Sequence, residues 1–473
     1  MEPEKRRRTS SEDTRASASN KRKHSSIAER SQRHKKKRRK TRKSESEMVK
    51  PDPTRSPTLS NRFFEFGSSS SRTRRKERSR RREPSSNRSS SESSRNWVSS
   101  SHDFSTYRDK IVFVSYNILG VENASKHPDL YCKVPRRFLE WDRRKTLIHE
   151  EINRYDASIL CLQEVDRFDD LDNLFQKDGF KGVYKVRTGE ADDGCAIFWK
   201  EELFTLLHQE NIEFQNFGLR NNVAQLCVLK MNQDLSELDV DSQTSLTPTT
   251  KSRSLVIGNI HVLFNPNRGD VKLGQVRLFL EKAYKLSREW GCIPVIIGGD
   301  LNSIPQSPMY QFMASSKLDV RHYDRRRISE QVQHPSQCGS FRSQNEKASS
   351  FWTSISRPML YRWSEEELQL ATGSEGVTYL QHHLKLCSAY LGVPGSCRTR
   401  DDHGEPLATS YHSKFKGTVD YIWHTEELVP VRVLETLPVN ILKRIGGLPN
   451  EKWGSDHLAL VCELAFIDDC DRT

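Results

Sequence analysis

None of the ten cysteines stands in a Cys-x-x-Cys pair or in any other zinc-like spacing, which argues against a structural zinc site. Most sit beside apolar residues, as Cys161 does in Ile159-Leu160-Cys161-Leu162, and read as small buried hydrophobes of a reducing compartment. The chain also lacks a basic n-region followed by an apolar h-region, and no apolar run is long enough to cross a bilayer. A soluble, intracellular protein without a membrane partner is therefore expected. There is no internal repeat, leucine-rich or otherwise, which excludes a solenoid.

Positive charge is abundant but unevenly placed. Residues 1–96 hold 31 of the 76 Lys and Arg but only 12 of the 63 Asp and Glu. That segment carries +19 and the remainder −6, so the basic character belongs to the N-terminal stretch. With few apolar residues beyond Phe63, Phe64 and Phe66, it cannot bury enough surface to offset its ordering entropy, and a disordered Ser/Arg-rich tail is expected over residues 1–107. Within it, Lys21-Arg22-Lys23 and His34 to Lys43 read as a bipartite nuclear-import signal or a phosphate-tracking contact, against the plainer reading of a solvated tail. Residence in nucleus and cytoplasm is the corresponding expectation. A net-acidic folded part that handles an anionic substrate needs metal cations or local basic groups.

From Arg108 onward, apolar runs alternate with amphipathic ones up to residue 468, and a short tail closes the chain at 469–473. Ile111 to Leu119, Asp156 to Val165, Gly182 to Arg187, Gly194 to Trp199, Ala224 to Met231, Ser254 to Val262 and Thr418 to Trp423 read as strands. Arg136 to Tyr155, Val271 to Trp290 and Tyr310 to Leu318 read as helices. Polar segments near 232–253 and 323–375 read as insertions, the second with a short helix opened by the Ser364-x-x-Glu367 capping signal.

The polar exceptions share a position. Asn117, Glu164, His261, Asp300 with Asn302, Asp420, and Asp456 with His457 fall in or beside otherwise apolar strands. Each alone has a bland reading as a cap, a surface ion pair or a satisfied core residue. In Pro294-Val295-Ile296-Ile297-Gly298-Gly299-Asp300-Leu301-Asn302-Ser303, the glycines are expected to turn the backbone. Asp300 and Asn302 then project to one side while Leu301 returns to the core. Carboxylates gathered in one cleft repel unless cations neutralise them, and hard oxygen donors suit magnesium or manganese. Such a metal polarises a phosphoryl oxygen and activates water. Hydrolysis of a phosphate ester is the reaction class this implies.

Seven motifs, Ser115-Tyr116-Asn117-Ile118-Leu119, Leu162-Gln163-Glu164-Val165, Asp193-Gly194-Cys195-Ala196-Ile197, Asn259-x-His261, Gly299-Asp300-Leu301-Asn302-Ser303, Val419-Asp420-Tyr421-Ile422 and Ser455-Asp456-His457, resemble in order those of the endonuclease/exonuclease/phosphatase superfamily. Within it, they resemble the carbon catabolite repressor 4 deadenylase branch and the related Angel proteins. The resemblance implies a four-layer α/β sandwich: two packed, mostly antiparallel sheets flanked by helices, with a catalytic domain over 108–468. It further implies that Glu164 binds magnesium, with manganese an alternative, and that Asn117 and Asp456 complete the metal environment. Asp300 and Asn302 would position the attacking water and the phosphate, with His457 and Asp420 as the acid/base pair. Asn259 and His261 would meet the substrate, and Pro266 and Phe415 would hold a nucleobase. Lys414, Lys416 and Arg268 could attract phosphate locally.

Two departures stand out. Leu301 replaces the usual Phe, and Asn221 stands where relatives commonly have Asp. The chain also lacks the leucine-rich repeats by which some deadenylases join the carbon catabolite repressor 4 and negative-on-TATA complex, which leaves that partnership open. The leading expectation is a magnesium-dependent 3′ to 5′ exoribonuclease that shortens poly(A) tails. Val186-Arg187-Thr188-Gly189, Asn265 to Asp270 and Gly447-Leu448-Pro449-Asn450 are Angel-like and keep open the removal of a 2′,3′-cyclic phosphate from RNA. A catalytically idle RNA-binding adaptor is the third reading, disfavoured because an adaptor has no need of the whole polar set.

Overall fold

A computed structural model describes residues 94–104, 107, 109–232, 253–331 and 363–467. Both basic clusters of the tail and the middle of each insertion lie outside the described residues.

The strand Lys110–Asn117 shows how the sequence builds the layers. Its residues alternate at period two: Ile111 and Phe113 enter a core shared with the second sheet, while Val112, Val114 and Tyr116 pack towards outer helices. Buried on both faces, it reads as one continuous apolar run rather than as an alternating strand.

This strand lies in a seven-stranded sheet in the spatial order Trp97–Ser99, Leu428–Leu434, Leu460–Phe466, Lys110–Asn117, Ile159–Val165, Gly194–Lys200, Phe180–Val186. A six-stranded sheet runs Leu386–Ser388, Asp420–Thr425, Val295–Asp300, Ser254–His261, Val223–Met231, Phe204–Glu213. Each sheet contains one parallel pair, Lys110–Asn117 with Ile159–Val165 and Ser254–His261 with Val295–Asp300; the other pairings are antiparallel. Ile111, Phe113, Ile159 and Ile197 of the first sheet meet Cys227, Ile257, Ile296 and Ile422 of the second. The helix Gly269–Glu289 covers the outer face of the six-stranded sheet through Leu273, Val276 and Phe279. Trp141–Asn153 and Phe168–Phe175 cover the other outer face through Ile148, Ile152, Leu171 and Phe175. The result is the expected four-layer α/β sandwich. No helix among the described residues is long and apolar enough to cross a membrane.

Three local expectations need correction. Order begins before Arg108, because Trp97–Ser99 pairs with the strand Leu428–Leu434. Ahead of it, buried Arg95 donates to Glu151 Oε1 at 3.3 Å and to the Glu435 carbonyl at 2.9 Å. A three-residue strand is too short to show a period. The helix expected from Arg136 starts at Trp141, because Glu140 is extended and separates it from a 3-10 turn at Arg136–Phe138. Gly298 and Gly299 do not turn the chain; both lie inside the strand Val295–Asp300. What Gly298 supplies is clearance, since a Cβ there would come within 2.8 Å of the Phe113 ring. The Ser364 capping box forms as expected, with Ser364 Oγ accepting from Glu367 N at 3.2 Å and Glu367 Oε2 accepting from Ser364 N at 3.0 Å.

Candidate active site

Strand register brings the polar exceptions to one edge. In the six-stranded sheet His261 stands opposite Asp300, and Asp300 opposite Asp420. In the seven-stranded sheet Asn117 ends its strand beside Gln163 of the next. Glu164 follows with φ +56°, where pairing with Gly194–Lys200 shifts register between Leu162 and Val165. Such an irregularity re-aims a side chain that regular pleating would turn away. His457 bridges Ser410 just before the last strand.

The groups interlock. Asn117 Nδ2 donates to Glu164 Oε1 at 3.0 Å and to Asp300 Oδ2 at 3.1 Å, joining the two sheets. Glu164 Oε2 accepts from the Gly120 amide at 3.1 Å and from Asn123 Nδ2 at 2.9 Å. Asp300 Oδ1 accepts from Asn302 N at 2.8 Å, and Asn302 Nδ2 stands 3.2 Å from His261 Nε2 while donating to the Val262 carbonyl at 3.0 Å. Asn302 has φ +45°. Leu301 between them is buried in the core, as expected. His457 Nδ1 lies 2.8 Å from Asp420 Oδ2. Tyr131 donates its phenol proton to Asp456 Oδ2 at 3.0 Å.

Burial and neighbours separate these carboxyls. Burial pushes Glu164 up, but the charge of His261 and the amides of Asn123 and Asn117 outweigh it and leave its pKa below the ordinary value. Asp300 is raised, first by burial and then by the Asp420 charge, partly offset by His261 and His457. Asp456 is raised by burial against the pull of His457 and His412. Burial pushes His457 down, yet Asp420 and Asp456 carry it well above an ordinary imidazole.

The donor set fits a hard divalent cation. Asp420 Oδ1 and Asp456 Oδ1 are buried without a hydrogen-bond partner, and an orphaned buried carboxylate oxygen is costly. Asp300, Asp420 and His457 each offer a ligand atom within 4.8 Å of the others. This grouping differs from the expected Glu164, Asn117 and Asp456. Both Glu164 oxygens accept amide hydrogen bonds and Asn117 Oδ1 accepts from Leu119 N at 3.1 Å, whereas Asp420 and Asp456 each keep an oxygen in reserve.

A cleft of about 590 Å³ opens over this edge, lined by Glu164, by the buried His261, Asp300, Asn302, Asp456 and His457, and by the more exposed Phe264, Pro266, Lys414 and Phe415. Asn117 and Asp420 act from below, through Glu164, Asp300 and His457. Asn259 does not reach the cleft, which corrects its reading as a substrate contact. Its amide is consumed between the sheets, donating to the carbonyls of Leu162 and Ala196 at 2.9 Å each and accepting from Gln163 Nε2 at 2.9 Å. Arg268 is gripped by Asp270 at 2.6 Å and Lys414 pairs with Asp129, so neither is a bare phosphate receptor. Asn221 accepts from Arg187 Nη2 at 2.8 Å, and Arg187 also pairs with Asp193 and lines the cleft. Sequence reasoning missed Tyr131, Asn123 and Arg187 as site residues. A lone Tyr or Asn in irregular or short helical chain carries no period, though Arg187 fell in a motif already marked as Angel-like.

The family model described as Endonuclease/Exonuclease/phosphatase family matches residues 114–457. The chain belongs to this family. Its members are hydrolases that typically use divalent metals, in keeping with the donor set above. Carbon catabolite repressor protein 4 homolog 5 of Arabidopsis thaliana is 64% identical over 375 residues, covering 79% of this chain and 81% of the relative. Protein angel homolog 2 of Bos taurus is 30% identical, covering 74% of this chain and 68% of the relative. Among solved structures, ANGEL2, a 2′,3′-cyclic phosphatase in complex with adenosine-2′,3′-vanadate, is 30% identical with a TM-score of 0.60, covering 79% of this chain and 99% of that one.

Proposed function

We propose that the protein is a magnesium-dependent 3′ to 5′ exoribonuclease that removes adenylates from poly(A) tails in mRNA turnover. The observation that carries this reading is the cleft itself. The buried Asp300, Asn302 and His457 and the more exposed Pro266 and Phe415 line this one cleft, so that a terminal nucleotide can present its phosphate to the cluster and its base to a ring. Stacking on an aromatic face stabilises a base by about 1–3 kcal/mol. The similarity to carbon catabolite repressor 4 homologs supports the same reading.

In this reading Asp300, raised by burial and by Asp420, takes a proton from the attacking water, and Asn302 and His261 hold the phosphate oxygens. Asp420 accepts a hydrogen bond from the Nδ1–H of His457, which leaves the Nε2–H to meet the charge that builds on phosphorus and to protonate the 3′ oxygen of the preceding nucleotide as its bond to phosphorus breaks. Glu164 and Asp456, with Asn117 completing their environment, would hold the divalent ion, which when bound would polarise the phosphoryl group and neutralise charge. Magnesium, with manganese as an alternative, follows from the oxygen donors. Residence in nucleus and cytoplasm, and association with the carbon catabolite repressor 4 and negative-on-TATA complex, belong to the same proposal.

The likeness to ANGEL2 supports a second reading, hydrolysis of a terminal 2′,3′-cyclic phosphate. The test follows 5′-labelled RNAs ending in oligo(A), in mixed sequence or in a 2′,3′-cyclic phosphate, with wild type and Glu164→Ala in magnesium. Stepwise shortening of the oligo(A) RNA, lost in Glu164→Ala, is the expected result. Conversion of the cyclic end without shortening overturns it in favour of the second reading.

A further inference from the structure

Lys272, on the helix Gly269–Glu289, is wholly buried. An interior lysine is tolerated only where its N–H groups find acceptors. Lys272 Nζ donates to the main-chain oxygen of Asn302 at 2.5 Å and to Gln331 Oε1 at 3.3 Å. The first acceptor belongs to the turn that leaves the strand Val295–Asp300, where Asn302 adopts φ +45°. The second acceptor lines the cleft. Burial pushes the Lys272 amine down to about 7 against the pull of Asp300. Protonated or neutral, the nitrogen keeps enough N–H groups for both acceptors, so the tie does not depend on titration.

We propose that Lys272 is a positioning residue for the hydrolysis, tying the Asn302 turn and Gln331 to the helix so that the Asn302 amide groups keep their place at the cleft floor. The proposal rests on the hydrolytic reading of the cleft. Asn302 is gripped from two sides: its side chain by the Val262 carbonyl beside His261, and its carbonyl by Lys272. Its N–H is the group that holds Asp300 Oδ1. Without Lys272 the Asn302 carbonyl is left unsatisfied in the interior. The peptide then rotates to find water, which displaces both the N–H and the side-chain amide. A displacement of about 1 Å at a reacting group costs on the order of a hundredfold in rate.

The test compares wild type, Lys272→Met, Asn302→Ala and the double variant on the RNA end that the wild type hydrolyses, with hydrogen exchange of the 299–304 backbone measured in parallel. Expected for Lys272→Met are a kcat lower by about tenfold or more, a KM within about threefold, and faster exchange confined to the turn. In the Asn302→Ala background the same change should cost clearly less than in wild type, because the side-chain amide is already gone and only the backbone N–H on Asp300 Oδ1 is left to displace. Losses that multiply in full, or a Lys272→Met protein with wild-type rate and exchange, overturn the proposal. Lys272→Gln retains one amide donor and should recover part of the rate. It carries the comparison if the methionine variant does not fold. Were the wild type inert on every RNA end, the functional reading would fall, and exchange at 299–304 would still decide whether Lys272 holds the turn.

Discussion

Asp420 Oδ2 lies 2.8 Å from His457 Nδ1, while Asp420 itself sits opposite Asp300 on the neighbouring strand. One residue thereby orients the imidazole and raises the carboxyl beside it. Asp420→Asn removes the charge and keeps the shape. A fall in kcat of about 10²- to 10⁴-fold is expected, with little change in melting temperature. Initial rates on saturating oligo(A) RNA check it, and a kcat within a few fold of wild type would show that the pair is structural.

Chelation should abolish turnover, and added magnesium or manganese should restore it. Glu164→Gln keeps the Gly120 and Asn123 contacts in reach but removes the anion. It is expected to raise the metal concentration giving half-maximal rate by about tenfold or more. A metal titration of both proteins measures this; full activity in excess chelator would refute the metal requirement.

Asn259→Leu separates a structural amide from a substrate contact. The substitution takes the Asn259 donor from the Leu162 and Ala196 carbonyls in a buried interface, while Gln163 Nε2 keeps the Cys161 carbonyl at 3.0 Å. A stability loss of about 3 kcal/mol is expected from unsatisfied buried groups, read as a lower urea midpoint, with KM of the remaining folded protein unchanged. A KM effect at undiminished stability would return Asn259 to the substrate.

Buried Glu405 accepts a hydrogen bond from Tyr310 at 2.7 Å, and burial pushes its pKa from 4.5 up to about 7. The folded state therefore binds a proton that the unfolded state has released between those values. Stability from this group is present at low pH and is lost as pH rises through about 7. Glu405→Gln should remove that component and be more stable than wild type at pH 8, by on the order of 3 kcal/mol. Urea unfolding of both proteins across the window tests the sign.

Phe415→Ala should raise KM for oligo(A) RNA by about fivefold or more, the lower end of base-stacking energies, while leaving kcat nearly unchanged. Steady-state kinetics on oligo(A) against oligo(U) would expose any role in adenine preference.

Most of the cleft floor was legible in sequence because the floor is made of strand ends, and a polar residue in an apolar run is conspicuous whatever it pairs with. Asn117, Glu164, His261, Asp300, Asp420 and His457 all announce themselves in this way. The same signal misled at Asn259, since periodicity places a side chain on a face without telling whether that face meets solvent or the other sheet. Gly298 illustrates a related limit: a glycine pair reads as a turn, whereas here the missing Cβ makes room for Phe113. Tyr131 and Lys272 reach their partners across long sequence separations from a loop and a helix, and no local pattern foretells such contacts. Trp97–Ser99 was hidden by brevity and by the Ser/Arg-rich stretch before it.

Asn117 and Glu164 belong to one sheet, Asp300 and Asp420 to the other, and the hydrogen bond from Asn117 to Asp300 spans the seam between them. The floor of the cleft is therefore not a property of either sheet but of their spacing, held by contacts such as Phe113 against Gly298. The reaction rate becomes a gauge of that spacing. A side chain added deep in the interface should slow turnover by wedging apart the two halves of the polar cluster, even though it lies outside the cleft.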